Sequence, residues 1–356
     1  MSRAPILFRC DATPEAGYEG YYQCLVMASA MQRRRRGTYF FSRLDPLSLA
    51  VPIHRGGHEW VNADDPIGSP EDLDATLREV RRLGAAAVVV ADPNVSEEYI
   101  RELDASGVLV VVVDADAKRQ FTNRLVINPY LGLGREDYSH AKRTQLLLGE
   151  RYPLIRPLVR RLRPLRAMEP AQPFRCLLAL GDDDPAGHTL TIAGHLLEAP
   201  KLERVDVYIR SHHPQRDELK ELAASYPGRL DVITENPELS TRVSRCHFAV
   251  TAGDGFALEL ACVGVPQLMT TVFERHRPNA VRLDEEGVAT DLGLAAEVTA
   301  EALYAGVETL LSDRMERQGM SRCGRQLIDG RGPDRLVTAV EVMLAKPQAV
   351  TLKIAA

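Results

Sequence analysis

Short β-branched runs alternate with helical patterns through the whole 356-residue chain, and that alternation admits few folds. In the first half, residues 6–9, 37–42, 86–91 and 109–114 read as strands. Between them, 21–36, 71–83 and 97–106 carry apolar residues at three- and four-residue spacing, the period of a half-buried helix. A strand–helix repeat of this kind favours a mostly parallel sheet covered by helices on both faces. Prolines and arginines over 152–173 interrupt the pattern, which then restarts with strands at 174–180, 204–210, 230–234 and 248–251 and helices at 189–198 and 215–226. The expected fold is therefore α/β with two doubly wound domains, residues 1–168 and 169–356, the second carrying the terminal helix. Two such halves place a cleft between the carboxyl ends of their strands.

The segment 251–266 holds the strongest local signal. A buried strand runs into the tight turn Gly253-Asp254-Gly255 and then into a helix beginning at Phe256. Such a turn presents backbone N–H groups and the positive end of a helix dipole to an anion. Glu259, one turn into the helix, has two readings: a ribose ligand, or an acid that complements the dipole. Together these features outline a nucleotide-sugar site.

Composition removes other classes. The 44 Lys+Arg and 49 Asp+Glu leave a net charge of −5, which gives no general reason to bind nucleic acid or anionic membranes; any basic site must be local. No apolar run reaches the ~20 residues of a membrane helix, and the start enters a strand without a secretory core, so the cytoplasm is the expected compartment. The six cysteines lack CxxC spacing and sit in apolar patterns, which points to reduced, packed thiols rather than zinc. The pair His54/His58 and the run Asp182-Asp183-Asp184 invite a metal reading, and His212/His213, at a strand exit before Pro214, a ligand contact. Loop geometry, and for Asp184-Pro185 a helix cap with proline at the first helical position, are the simpler accounts. No metal is expected.

Several segments in order resemble the UDP-sugar hydrolases of pseudaminic acid and surface-polysaccharide biosynthesis (PseG/SpsG type), relatives of GT-B glycosyltransferases such as MurG. Residues 6–17, with Arg9 and Asp11 ahead of Gly17, resemble the family opening. Residues 109–130, 149–157, 181–185, 211–227, 252–266 and Arg277-Pro278-Asn279-Ala280 continue the match. The resemblance implies a GT-B-like pair of Rossmann-like domains, the first on the sugar or acceptor side and the second binding the nucleotide. It further implies release of UDP by water attack without metal or organic cofactor, on a UDP-sugar held in the interdomain cleft by Arg9, Gly17, Tyr18, Gly181, Gly253, Gly255, Phe256, Glu259 and Asn279. A protein partner in a glycan pathway is the other expected contact.

The departures fall on the chemistry. The family's Gly-x-Gly-His-x-x-Arg is Gly17-Tyr18-Glu19-Gly20-Tyr21-Tyr22-Gln23 here, so Gly20 stands where the resemblance implies the base that activates water. A general base contributes roughly 10²–10⁴-fold. Glu19, His276 and Asp11 are the candidates to act in its place, while Tyr18, Tyr21 and Tyr22 either stack on a sugar or fill an abandoned pocket. Acids also enter both glycine loops of the second half, Asp182–Asp184 and Asp254, where a carboxylate facing a pyrophosphate is repulsive. Three outcomes stay open: altered or lost hydrolysis, a non-catalytic sensor or docking module, and glycosyl transfer.

Overall fold

The computed structural model describes residues 3–181, 184–234 and 236–345. Its chain divides into two compact units, one comprising the described parts of Met1–Asn128, Gly134–Leu148 and Pro333–Ala356, the other those of Pro129–Leu133 and Gly149–Gly332.

The first unit carries β1 (Arg3–Arg9), β2 (Arg36–Ser42), β3 (Glu59–Asn62), β4 (Ala87–Val90), β5 (Leu109–Val113), β6 (Gln120–Phe121), β7 (Leu125–Ile127), β8 (Ser139–His140) and β9 (Gln145–Leu147). Its main sheet has the order β3-β2-β1-β4-β5-β7-β9, with every pairing parallel, while β6 and β8 pair separately. The run Leu109–Val113 is buried at every residue, as a strand covered on both faces must be. Phe8 and Phe40 stack at 5.1 Å across neighbouring strands. The helix Pro70–Leu83 follows its sequence signals closely: Ser69 caps it by accepting from the Asp72 N–H, and Gly84 closes it at φ 59°.

In the second unit β10 (Arg175–Ala179), β11 (Arg204–Tyr208), β12 (Leu230–Ile233), β13 (Phe248–Thr251), β14 (Gln267–Thr271) and β15 (Ala289–Leu294) form a parallel sheet of order β12-β11-β10-β13-β14-β15. Alternate residues of β10 serve its two faces: Cys176 and Leu178 join one apolar cluster, Leu177 and Ala179 the other. Both sheets are doubly wound as expected, and each reverses its strand order beside its first strand, the position where open α/β sheets hold ligands. The six cysteines are free thiols, all buried except the half-buried Cys323.

The units divide the chain differently from the sequence-based boundary at residue 168. Residues 149–168 pack within the second unit, where Arg163 donates to the carbonyls of Cys262 and Ile328. From Pro333 onward the terminal helix Gly332–Ala345 belongs to the first unit, where Arg36 forks onto Glu341 at 2.6 and 2.8 Å and Arg33 meets Asp334 at 2.8 Å. Side-chain pairs so far apart in sequence leave no trace in local periodicity. The pattern also misses the helix Asn236–Arg245, and the expected loop around His54 and Trp60 is instead the helix Ala50–Arg55 followed by the short, half-exposed β3.

Candidate functional site

At the reversal point of the second sheet, β10 exits through Gly181 and β13 through Gly253, at φ +100° and +67°. Gly253 is confined as well as left-handed, since a Cβ there would lie 3.0 Å from both Ala280 and Thr271 side chains. The turn then sets Asp254 as the cap of the helix Gly255–Val263, where its carboxylate accepts the N–H groups of Phe256 and Ala257 at 3.0 and 3.2 Å. These are among the first-turn donors a bound phosphate would use.

The neighbouring loop repeats the device. Asp184, fully buried, accepts from the backbone of His188 and Thr189 at 3.1 and 2.6 Å and from the Thr189 hydroxyl at 2.5 Å. The capping role read from sequence thus falls on Asp184, but the helix starts at His188 rather than at Pro185, with Gly187 at its N-terminus. Asp182 and Asp183 lie outside the described residues. The Asp254 carboxylate borders this loop, 3.3 Å from where a Gly181 Cβ would stand. Both helix N-termini at the switch point therefore hold a carboxylate of the chain itself.

Glu259 is committed too. Its two oxygens accept the Arg156 backbone N–H (2.8 Å), Nε (2.9 and 2.8 Å) and Nη2 (2.5 Å). Three N–H donors, one of them shared between both oxygens, hold the carboxylate on Arg156, so a ribose hydroxyl there would have to compete with this pair. Phe256 lies against the Tyr208 ring at 5.6 Å, beneath the Arg156 guanidinium. Asn279, fully buried, donates to the Gly253 carbonyl at 2.7 Å and accepts the Leu131 N–H at 2.9 Å, so it holds the glycine turn from behind. His276 is buried beside the rings of Tyr130 and Phe273, at 5.2 and 6.0 Å.

The first unit places Arg9 and Asp11 at the end of β1, as the sequence suggested, and absorbs both into the core. Arg9 has no exposed surface; it donates to Asp11 (2.5 Å), Asp72 (2.7 Å) and the carbonyls of Phe41 and Asp65. Asp11 also accepts from the backbone of Arg43 and Ile67. Gly17, at φ +77°, turns the chain into the helix Glu19–Arg33, with the buried Tyr18 at its N-cap. Glu19 accepts from Gln23 at 3.3 Å within that helix. Tyr21 is buried and donates to the Leu49 carbonyl at 2.5 Å, which favours the pocket-filling reading of that tyrosine. A Cβ on Gly20 would stand 2.3 Å from the Ala91 carbonyl oxygen, so the position has no room for a side chain.

Sequence reasoning missed Asp72 and Asp92. Asp92 follows β4, almost wholly buried; burial raises its pKa from 3.8 to about 6, with Asp11 adding to the rise and the Asn94 N–H and Arg119 opposing it. Its signal was an acid at the carboxyl end of an unbroken apolar strand. The two residues of the His54/His58 pair are differently placed: His54 is exposed, and buried His58 shares a 2.6 Å hydrogen bond with Thr38 while burial lowers its pKa. Among the described residues no cluster of His, Cys, Asp and Glu fits a metal ion, and no helix is long and apolar enough to cross a membrane.

No protein-family model matches the chain. Over 166 residues it is 26% identical to the spore coat polysaccharide biosynthesis protein SpsG of Bacillus subtilis (strain 168), a match covering 46% of this chain and 48%, about half, of that relative. Among solved structures, Acinetobacter baumannii MurG superposes with a TM-score of 0.65 at 14% identity, covering 96% of this chain and 100% of the other. The spinosyn rhamnosyltransferase SpnG, complexed with thymidine diphosphate, gives 0.65 at 15% identity over 95% and 100%. The fold is thus that of GT-B glycosyltransferases, and the chain is related to SpsG.

Proposed function

We propose that this chain acts in the cytoplasm in bacterial surface-polysaccharide or flagellar-glycan biosynthesis, as an SpsG-related protein that has lost UDP-sugar hydrolysis and serves the pathway as a non-catalytic docking module. The observation that carries this reading is the Asp254 carboxylate seated on the N–H groups of Phe256 and Ala257. A diphosphate taking those donors must displace a cap worth about 1 kcal/mol. It must also face a carboxylate, at a cost of about 4 kcal/mol for unit charges ~4 Å apart in an effective dielectric of 20. Together these penalties correspond to more than three decades of affinity. Glycosyl transfer from a nucleotide diphosphate sugar would meet the same penalties at this turn. The ion pair that ties Glu259 to Arg156 and the lack of space at Gly20 support the reading independently.

Asp92 favours a second reading, altered hydrolysis with a relocated base, because a carboxyl group titrating near 6 is suited to proton transfer at neutral pH. Incubation of the purified chain with UDP- and CMP-sugars, following nucleotide release, separates the two. The docking reading expects none; turnover that disappears in Asp92→Asn establishes the second reading, and any enzymatic turnover refutes the first.

A further inference from the structure

On the second unit, the arginine-rich stretch after residue 152 and the helix Arg314–Leu327 build a cationic surface for which the reading above has no use. Two adjoining concavities of about 520 and 680 Å³ share Arg163 and Arg325 in their walls. Arg163 donates to the carbonyls of Cys262, Ile328 and Arg325, Arg166 to those of Cys246 and Gly264, and Arg325 to that of Arg163. These bonds fix the guanidiniums in place. They end on carbonyls and not, among the described residues, on carboxylates. Arg166, only 5% exposed, also keeps its Nε without a hydrogen-bond partner. The walls hold eight arginines (160, 163, 166, 314, 317, 322, 325 and 331) against two acids, Glu169, which is taken up by Arg314 and Arg317, and Asp329, which accepts the Arg331 N–H.

A local excess of cations on a chain of net charge −5 selects an anionic partner. The same segments expose Leu165 (66%), Met168 (82%) and Met315 (74%). Guanidiniums alone would suit an acidic peptide. Apolar side chains standing out beside them suit a surface that is anionic at its face and apolar just beneath. We propose that this face of the second unit docks on an anionic phospholipid bilayer, its arginines on headgroup phosphates and its exposed leucine and methionines at the acyl boundary.

The test is co-sedimentation of the full chain with phosphatidylcholine vesicles, with and without phosphatidylglycerol, at low and high salt. Binding should require phosphatidylglycerol and weaken with salt. Arg322→Ala and Arg331→Ala, at exposed positions, should each lower the partition coefficient roughly fivefold, the equivalent of about 1 kcal/mol per cation near an anionic surface. Leu165→Ser with Met168→Ser should weaken binding while leaving its salt dependence. Equal partition onto both vesicle types, or arginine variants that bind like wild type, would overturn the proposal. So would retention on immobilised polyglutamate without any vesicle binding, which would assign the face to an acidic polypeptide.

Discussion

Replacing Gly20 by alanine tests the packing that bars a side chain at this position. The added Cβ would stand 2.3 Å from the Ala91 carbonyl oxygen, about 1 Å inside the roughly 3.3–3.6 Å at which carbon and carbonyl oxygen make close contact. That carbonyl cannot retreat freely, because the Ala91 N–H is bonded to the Arg9 carbonyl at 3.2 Å where β1 and β4 end. Overpacking of this kind costs about 1–3 kcal/mol, against a gain of at most about 1 kcal/mol from alanine's helix preference. The net loss of about 1–2 kcal/mol should lower Tm by roughly 2–8 °C in thermal unfolding followed by circular dichroism. Gly194, in the helix His188–Glu198 with nothing within 4 Å of its would-be Cβ, is the matched control, and Gly194→Ala should raise Tm. Gly20→His should destabilise more than alanine and release no UDP. A Gly20→Ala protein melting at or above the wild-type temperature would refute the reasoning.

Asp92→Asn should stabilise the protein at pH 8 by about 3 kcal/mol, the difference between 3.8 and about 6 converted at about 1.4 kcal/mol per unit. The sign follows from a folded-state pKa raised above the unfolded one: wild-type stability is fully present below about 3.8 and is lost as pH rises through 6. The advantage of the variant should therefore shrink towards pH 4, and a Tm difference independent of pH would sink the assignment. Asn279→Ala leaves the Gly253 carbonyl and the Leu131 N–H buried without their partner and should cost about 2–4 kcal/mol. A melting shift below one degree would show that the turn stands without it.

The strand–helix alternation made the two doubly wound sheets legible, because burial on both faces of a parallel sheet forces continuous apolar runs at regular spacing. The glycine turn was legible for the same kind of local reason: Gly253 sits where only glycine fits, ahead of a helix with a good cap. The fates of the polar residues were not. Glu259 reads as a ribose ligand until Arg156, 103 positions away, is seen to pair with it. Arg9 reads as lining a site until Asp72, 63 positions on, pairs with it in the core. Such pairings depend on which strand exits lie side by side, and no local pattern reports that. Gly20 is the intermediate case, since a glycine at the head of this helix was visible in sequence while the Ala91 carbonyl that bars any side chain there was not.

Titration of UDP into the wild-type chain and into Asp254→Ser, followed by thermal shift, tests the central claim most directly. The substitution should lower the unliganded Tm slightly by losing the cap's charge at the helix start, and it replaces a carboxylate that repels phosphate at the Phe256 and Ala257 N–H groups by a neutral hydroxyl that can yield to it. A ligand at 100 times its Kd stabilises by about 2.7 kcal/mol, so binding will register as a shift of several degrees. The account predicts that millimolar UDP leaves the wild-type melting temperature unchanged and raises that of Asp254→Ser; an equal response in the two proteins would contradict it.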